Sequence, residues 1–219
     1  MQKTKIDWPG LDYTWNPVTG CFRGCEYCVV RNRVWPRIKH LYGDHNYDTI
    51  IFHPDKISIP ESIKKPSTFF VGFYSDIQYW TTEWIESIID KCKRCPQHTF
   101  MFLSKGFGSY DWFVLPPNCI TGITIAGIEG DITNVNTAFC SDEINNFISY
   151  NNRCFLSIEP LLGYIPKINE HKNLERVIVG AMTGSNAIVP QKKWIQSVRD
   201  NVPEEKIYWK NNIKKYLYV

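Results

Sequence analysis

No uncharged apolar run in this chain approaches the ~18 residues that a helix needs to cross a bilayer, so a membrane span is not expected. Met1 is followed by the polar run Gln2-Lys3-Thr4-Lys5, which lacks the apolar stretch of a secretory signal peptide. The two absences together lead to the expectation of a cytoplasmic protein. Internal repeats, low-complexity tracts and flexible linkers are also missing. So is a large charge excess. A net charge of +3 permits an anionic partner without requiring one, and the basic stripe of a dedicated nucleic-acid binder is not evident.

What is present is an ordinary core-forming composition, with 43% hydrophobic and 21% charged residues, enough for one domain over residues 1–219. Aromatic residues make up 15%, eight of them Trp, and serve either to pack a core or to line a large pocket. Short apolar runs of β character alternate with longer amphipathic ones. The expected strands are Asp12–Trp15, Thr68–Phe73, Thr99–Leu103, Ile120–Ile125, Cys154–Ile158, Arg176–Val179 and Lys206–Trp209. The expected helices are Glu26–Lys39, Thr82–Lys93, Ser141–Tyr150 and Gln191–Asn201. Residues 41–66 break the rhythm and read as a loop-rich insertion. Alternation of this kind predicts an α/β fold, and about six parallel strands in this length suit a partial (β/α) barrel better than a complete one of ~250 residues.

The chain has eight cysteines. Three of them, Cys21, Cys25 and Cys28, stand in the loop after the first expected strand, spaced C-x3-C-x2-C with Tyr27 before the last. In a cytosolic chain so tight a cluster points to metal rather than to disulfides. Three thiolates supply three corners of a metal centre, whereas tetrahedral structural zinc takes four protein ligands. A four-iron cluster on three cysteines keeps one iron open, and an open iron implies an enzyme. Zinc completed by His40, His45 or His53 is the alternative ligation, and a non-catalytic zinc or iron–sulfur nucleic-acid-binding module is the alternative function. An electron-transfer protein is a third reading, one the open cluster corner argues against. Cys92 and Cys95 form a C-x-x-C pair without a second pair and read as structural.

Polar and small residues follow the expected strands: Ser75-Asp76, Ser104-Lys105, Ala126-Gly127-Ile128-Glu129, Glu159-Pro160, the turn Gly180–Gly184 with Ser185-Asn186, and Lys210. Carboxyl ends of strands are where α/β folds build their sites. Thr124, within the fourth strand, and Glu129 are candidates to hydrogen-bond a ligand at the same ends. Glu159 is a candidate for a ligand group, or else a structural acid paired with Lys105 or Arg23. Lys105 and Lys210 are candidates for a carboxylate or phosphate. The Gly180–Gly184 turn offers backbone N–H groups to an anion, although it lacks a phosphate-loop pattern.

The cysteine loop resembles the signature of the radical S-adenosylmethionine (SAM) superfamily. The resemblance implies a [4Fe-4S] cluster held by Cys21, Cys25 and Cys28, whose unique iron binds SAM, with Tyr27 near the adenine. It further implies reductive cleavage of SAM to a 5′-deoxyadenosyl radical that abstracts hydrogen from a substrate, and an electron donor such as flavodoxin or ferredoxin. The runs Trp15–Cys21, Phe155–Gly163 and Val177–Gly180, with Ser75-Asp76, Leu103-Ser104-Lys105 and Tyr208-Trp209-Lys210, are similar to an uncharacterised, phage-associated radical SAM-like family. Ser75 and Asp76 replace the superfamily's Gly-Gly-Glu turn, which makes Asp76 the candidate for the SAM amino group. That family's Gly-Glu-Ser-Gly-like turn is Ala181-Met182-Thr183-Gly184 here, without its acid. Phage association, mild basicity and the basic stretch Lys91–Arg94 make nucleic acid or a nucleotide the candidate substrate.

Overall fold

Strands of Phe, Val, Ile and Met with few polar interruptions are stable only when helices cover both faces. The structure, a computed structural model, describes residues 3–111, 113–128, 140–184 and 186–218. It is an α/β protein built on parallel strands. The chain divides into two units, Met1–Ile6 with Gly10–Ser104 and Gly108–Ile120, and Asp7–Pro9 with Lys105–Phe107 and Thr121–Val219.

In the first unit β1 (Tyr13–Trp15), β4 (Thr68–Val71) and β5 (Thr99–Ser104) run parallel, with β4 in the middle. Phe69 stacks on Phe100 at 5.5 Å, and the fully buried Trp15 donates its indole N–H to the Lys56 carbonyl at 2.9 Å. The two-residue strands β2 (Val18–Thr19) and β3 (Ile51–Phe52) pair antiparallel, so the expected insertion is stitched back beside the cysteine loop.

Helix α2 (Thr82–Arg94) connects β4 to β5 and buries Ile85, Ile88, Ile89 and Cys92, a stripe at i, i+3, i+4 and i+7. Trp84, beside that stripe and half-buried, stacks on Phe52 at 5.6 Å. Thr81 caps the helix by accepting from the Trp84 N–H. At its other end the Asn118 amide donates to the carbonyls of Cys92, Cys95 and His98, satisfying groups the helix terminus would otherwise leave open.

The expected helix Glu26–Lys39 starts later and is wound unevenly. Val30–Val34 has the wide π winding, α1 covers only Trp35–Ile38, and Lys39–Tyr42 tightens to 3₁₀. Two features of the sequence account for this. Pro36 cannot donate to the Asn32 carbonyl and its ring crowds that oxygen, and Val29, Val30 and Val34 are β-branched. Residues 25–28 form a turn instead, closed by the Cys28 N–H on the Cys25 carbonyl at 3.1 Å.

The second unit holds β6 (Cys119–Thr124, whose first two residues fall in the first unit), β7 (Cys154–Ile158), β8 (Leu174–Val179) and β9 (Ile207–Trp209), parallel and in that order. The bare Gly122 lets the Phe155 ring lie against β6, because a Cβ there would stand 2.3 Å from the ring. α3 (Ser141–Tyr150) buries Ile144, Phe147 and Ile148, and Glu143 reaches back to the Cys140 N–H at 2.9 Å. α4 (Lys192–Asn201) buries Trp194, Ile195 and Val198, and the short α5 (Asn211–Lys214) follows β9. No helix among the described residues is long and apolar enough to cross a membrane.

Candidate functional site

The cysteine loop leaves the carboxyl end of β1 through β2, and its entry is tied down residue by residue. Gly20 sits at φ +91°, and a Cβ there would fall 2.0 Å from the Thr49 carbonyl oxygen, so only glycine fits. Its N–H donates to the Tyr74 carbonyl at 3.0 Å, and its own carbonyl accepts from the Ser75 hydroxyl at 2.7 Å. The Trp80 indole N–H donates to the Ser75 oxygen at 2.9 Å. Ser75, expected to face the cofactor, thus spends its hydroxyl on holding the loop.

One residue earlier, the buried Thr19 hydroxyl lies 3.2 Å from His45 Nε2 and 2.7 Å from His53 Nε2. His45 Nδ1 must carry a proton to donate to the Tyr42 carbonyl at 3.1 Å, so its Nε2 accepts from Thr19, which in turn accepts from His53. Burial lowers the His53 pKa and favours that neutral form. Two of the three histidines named for zinc are therefore engaged through Thr19. Among the described residues no group of three His, Cys, Asp or Glu is arranged to hold a single metal ion.

Cys21, Cys25 and Cys28 are half-buried cysteines outside any disulfide. Burial drives the Cys21 pKa up to about 11, with further upward pushes from Asp76, Cys28 and Cys25, each within electrostatic reach of Cys21. Arg31 works from the other side. Its backbone N–H donates to Cys28 Sγ at 3.3 Å, and its guanidinium bonds the Cys21 carbonyl at 2.7 Å and Asp48 at 2.7 Å. Two of these contacts hold the loop, one at the sulfur of its last cysteine and one at the carbonyl of its first. Tyr27, the candidate adenine contact, is half-buried between Cys25 and Cys28.

Asp76 is buried and heavily used. Its Oδ1 accepts from the Gln78 N–H at 3.1 Å and from the Ser104 hydroxyl at 2.6 Å, and its Oδ2 lies 3.6 Å from Arg23 Nε. Ser109 lies 2.9 Å from Ser104, and since Ser104 gives its proton to Asp76, Ser109 is the donor in that pair. Arg23 also bonds the Gln78 side chain. The loop is thereby pinned from within, by a residue between its first two cysteines.

In the second unit, Glu159 at the end of β7 accepts from the Trp8 indole at 3.2 Å and pairs with Lys210 at the end of β9. Its salt-bridge partner is Lys210, where the sequence suggested Lys105 or Arg23. Lys210 is buried rather than solvated. Gly180 allows the pair to close, since a Cβ there would stand 3.0 Å from Lys210 Cδ and 3.2 Å from Glu159 Cγ. Lys105 Nζ reaches the fully buried Thr124 hydroxyl at 3.4 Å. The Gly180 and Ala181 N–H groups, expected to face an anion, donate instead to the Ile158 carbonyl and to Asn212 Oδ1. Glu129 and Ser185 lie outside the described residues.

Residues 3–212 match a family described as a protein of unknown function (DUF5131). The chain belongs to that family. No curated protein and no solved structure matches it.

The DUF5131 chain carries three cysteines on one tethered loop, a soft donor set of the kind that iron–sulfur clusters take. A cluster spreads its thiolates over different irons, farther apart than the ligands of one ion. Cys92 behaves differently. It is fully buried and hydrogen-bonded to Cys119, and burial pushes its pKa well up, as for a packing thiol. Sequence reasoning missed Gly20, Arg31, Thr19 and the pairing of Arg23 with Asp76. The one available signal was a lone arginine inside a metal-type loop.

Proposed function

We propose that this chain is a radical SAM enzyme whose Cys21, Cys25 and Cys28 hold a [4Fe-4S] cluster. The observation that carries the reading is the cysteine loop itself, a set of three cysteines tethered through Gly20, Arg23, Arg31 and Ser75 at the carboxyl end of β1. When bound, the cluster supplies the electron for reductive cleavage of SAM to methionine and a 5′-deoxyadenosyl radical. This chain's residues orient and shield that chemistry. Arg31 orients the Cys28 sulfur through its backbone N–H, and half-burial of the thiols limits water around them. Asp76 would take the SAM amino group in this reading, its carboxylate held in place by Ser104, the Gln78 N–H and Arg23. The partial (β/α) barrel belongs to the same reading, supported by parallel strands with polar groups at their carboxyl ends.

The hydrogen donor is a nucleic acid or nucleotide in this reading, although the basic stretch that suggested it is largely neutralised. Lys91 pairs with Glu61 at 2.9 Å and Arg94 with Asp90 at 2.7 Å. The test is anaerobic purification, reconstitution with iron and sulfide, reduction, addition of SAM and assay for 5′-deoxyadenosine. Formation of 5′-deoxyadenosine supports the enzyme. Stoichiometric zinc with no 5′-deoxyadenosine would leave the non-catalytic module.

A further inference from the structure

The segment that follows the last cysteine presents an unusual face to solvent. From Tyr27 to Gly43 the chain has no carboxylate and four Lys or Arg residues. Val29, Arg33, Arg37 and Leu41 recur at every fourth position along the wound segment, and all four are exposed, as is His40. Val29 is 41% exposed and Leu41 59%, both large for apolar side chains. The remaining cations of the segment are neutralised, Arg31 by Asp48 and Lys39 by Asp44. Among the described residues Arg33 and Arg37 have neither an ion-pair nor a hydrogen-bond partner. Two unpaired guanidinium groups bracketed by exposed aliphatics thus form a stripe that starts at the residue after Cys28.

We propose that this stripe is the docking face for an acidic one-electron carrier protein. The inference rests on the cluster reading above, because a cluster that must be reduced needs its donor close, tunnelling falling off steeply with distance. Position and charge then point to the same surface. Unpaired arginines beside apolar anchors are typical of protein interfaces, where Arg is enriched and the anchors lose water. A nucleic acid would call for a longer run of unpaired cations, and the aliphatic ends offer it nothing to stack on. Exposed charges of this kind mainly steer association, so the contact is fast and sensitive to salt.

The test compares the wild-type chain with the double variant Arg33→Glu/Arg37→Glu, both positions being exposed and unpaired. An acidic flavodoxin serves as protein donor and dithionite as small reductant. The expected result is a fall of about tenfold in flavodoxin-supported 5′-deoxyadenosine formation with the dithionite-supported rate unchanged. Calorimetric titration with oxidised flavodoxin reads the face whether or not a cluster is present, and the variant should bind more weakly. Equal flavodoxin binding by both proteins would overturn the proposal. So would a variant that loses affinity for a single-stranded oligonucleotide while keeping its flavodoxin rate. A wild-type chain that makes no 5′-deoxyadenosine with dithionite would remove the enzyme reading instead, leaving the titration to decide the face.

Discussion

Arg23 Nε stands 3.6 Å from Asp76 Oδ2, both side chains 9% exposed, and joins the cysteine loop to the turn after β4. Little water reaches either side chain. Removing one partner of a buried pair leaves the other uncompensated, at a cost of about 3–5 kcal/mol. Arg23→Ala and Asp76→Asn should therefore each lower stability in urea melts. Their double-mutant cycle should show strong coupling. Additive losses would mean that the pair does not link the two segments.

Cys25→Ala should abolish iron incorporation, whereas Cys92→Ala should leave it intact. Cys92 is buried on α2 against Cys119, so its truncation costs packing alone. Iron and sulfide per chain after reconstitution would separate the two roles. A Cys25→Ala protein that still cleaves SAM would refute the ligand assignment.

Gly20→Ala should be among the most disruptive single-methyl changes in the chain. The added carbon would meet the Thr49 carbonyl at 2.0 Å, at a φ of +91° that alanine rarely adopts. Reduced cluster loading should accompany a lower melting temperature.

His53 makes stability depend on pH. Its folded pKa is lowered below 6.5 by burial, so between 6.5 and that lower value the unfolded chain binds a proton that the folded one does not. Stability should accordingly fall as pH drops below about 6.5 and level off beneath the folded pKa. Urea melts of wild type and His53→Gln over that range check the sign, since the variant should lose this part of the slope.

Lys210→Ala should cost about 1–3 kcal/mol, because Glu159 would keep its charge in a half-buried position with only the Trp8 indole as donor. Adding Glu159→Gln should recover part of the loss. No recovery would place the role of Lys210 in packing against Gly180.

Much of the fold was legible in the sequence because it is written in local periodicity. The apolar run Cys154–Ile158 and the capped amphipathic stretch Ser141–Tyr150 appear with the expected bounds, and α2 differs by one residue. The helix after Cys28 was misjudged at its start, since turn formation at residues 25–28 and the obstruction by Pro36 compete with a pattern that otherwise reads as helical. The strands β2 and β3 were invisible, being two residues each and stable only through pairing across a long loop.

By itself, the sequence determined the parallel α/β class, the placement of three thiols after the first strand, and the polar residues at strand ends. Spacing and hydrophobic pattern are properties of neighbouring residues. Tertiary structure alone decided which polar groups are already spent. Ser75 holds Gly20, Asp76 faces Arg23, Glu159 pairs with Lys210, and His45 and His53 converge on Thr19. Those pairings join residues 26 to 55 positions apart, and a buried polar group takes whichever partner the fold brings within hydrogen-bond reach, a choice that no local pattern encodes.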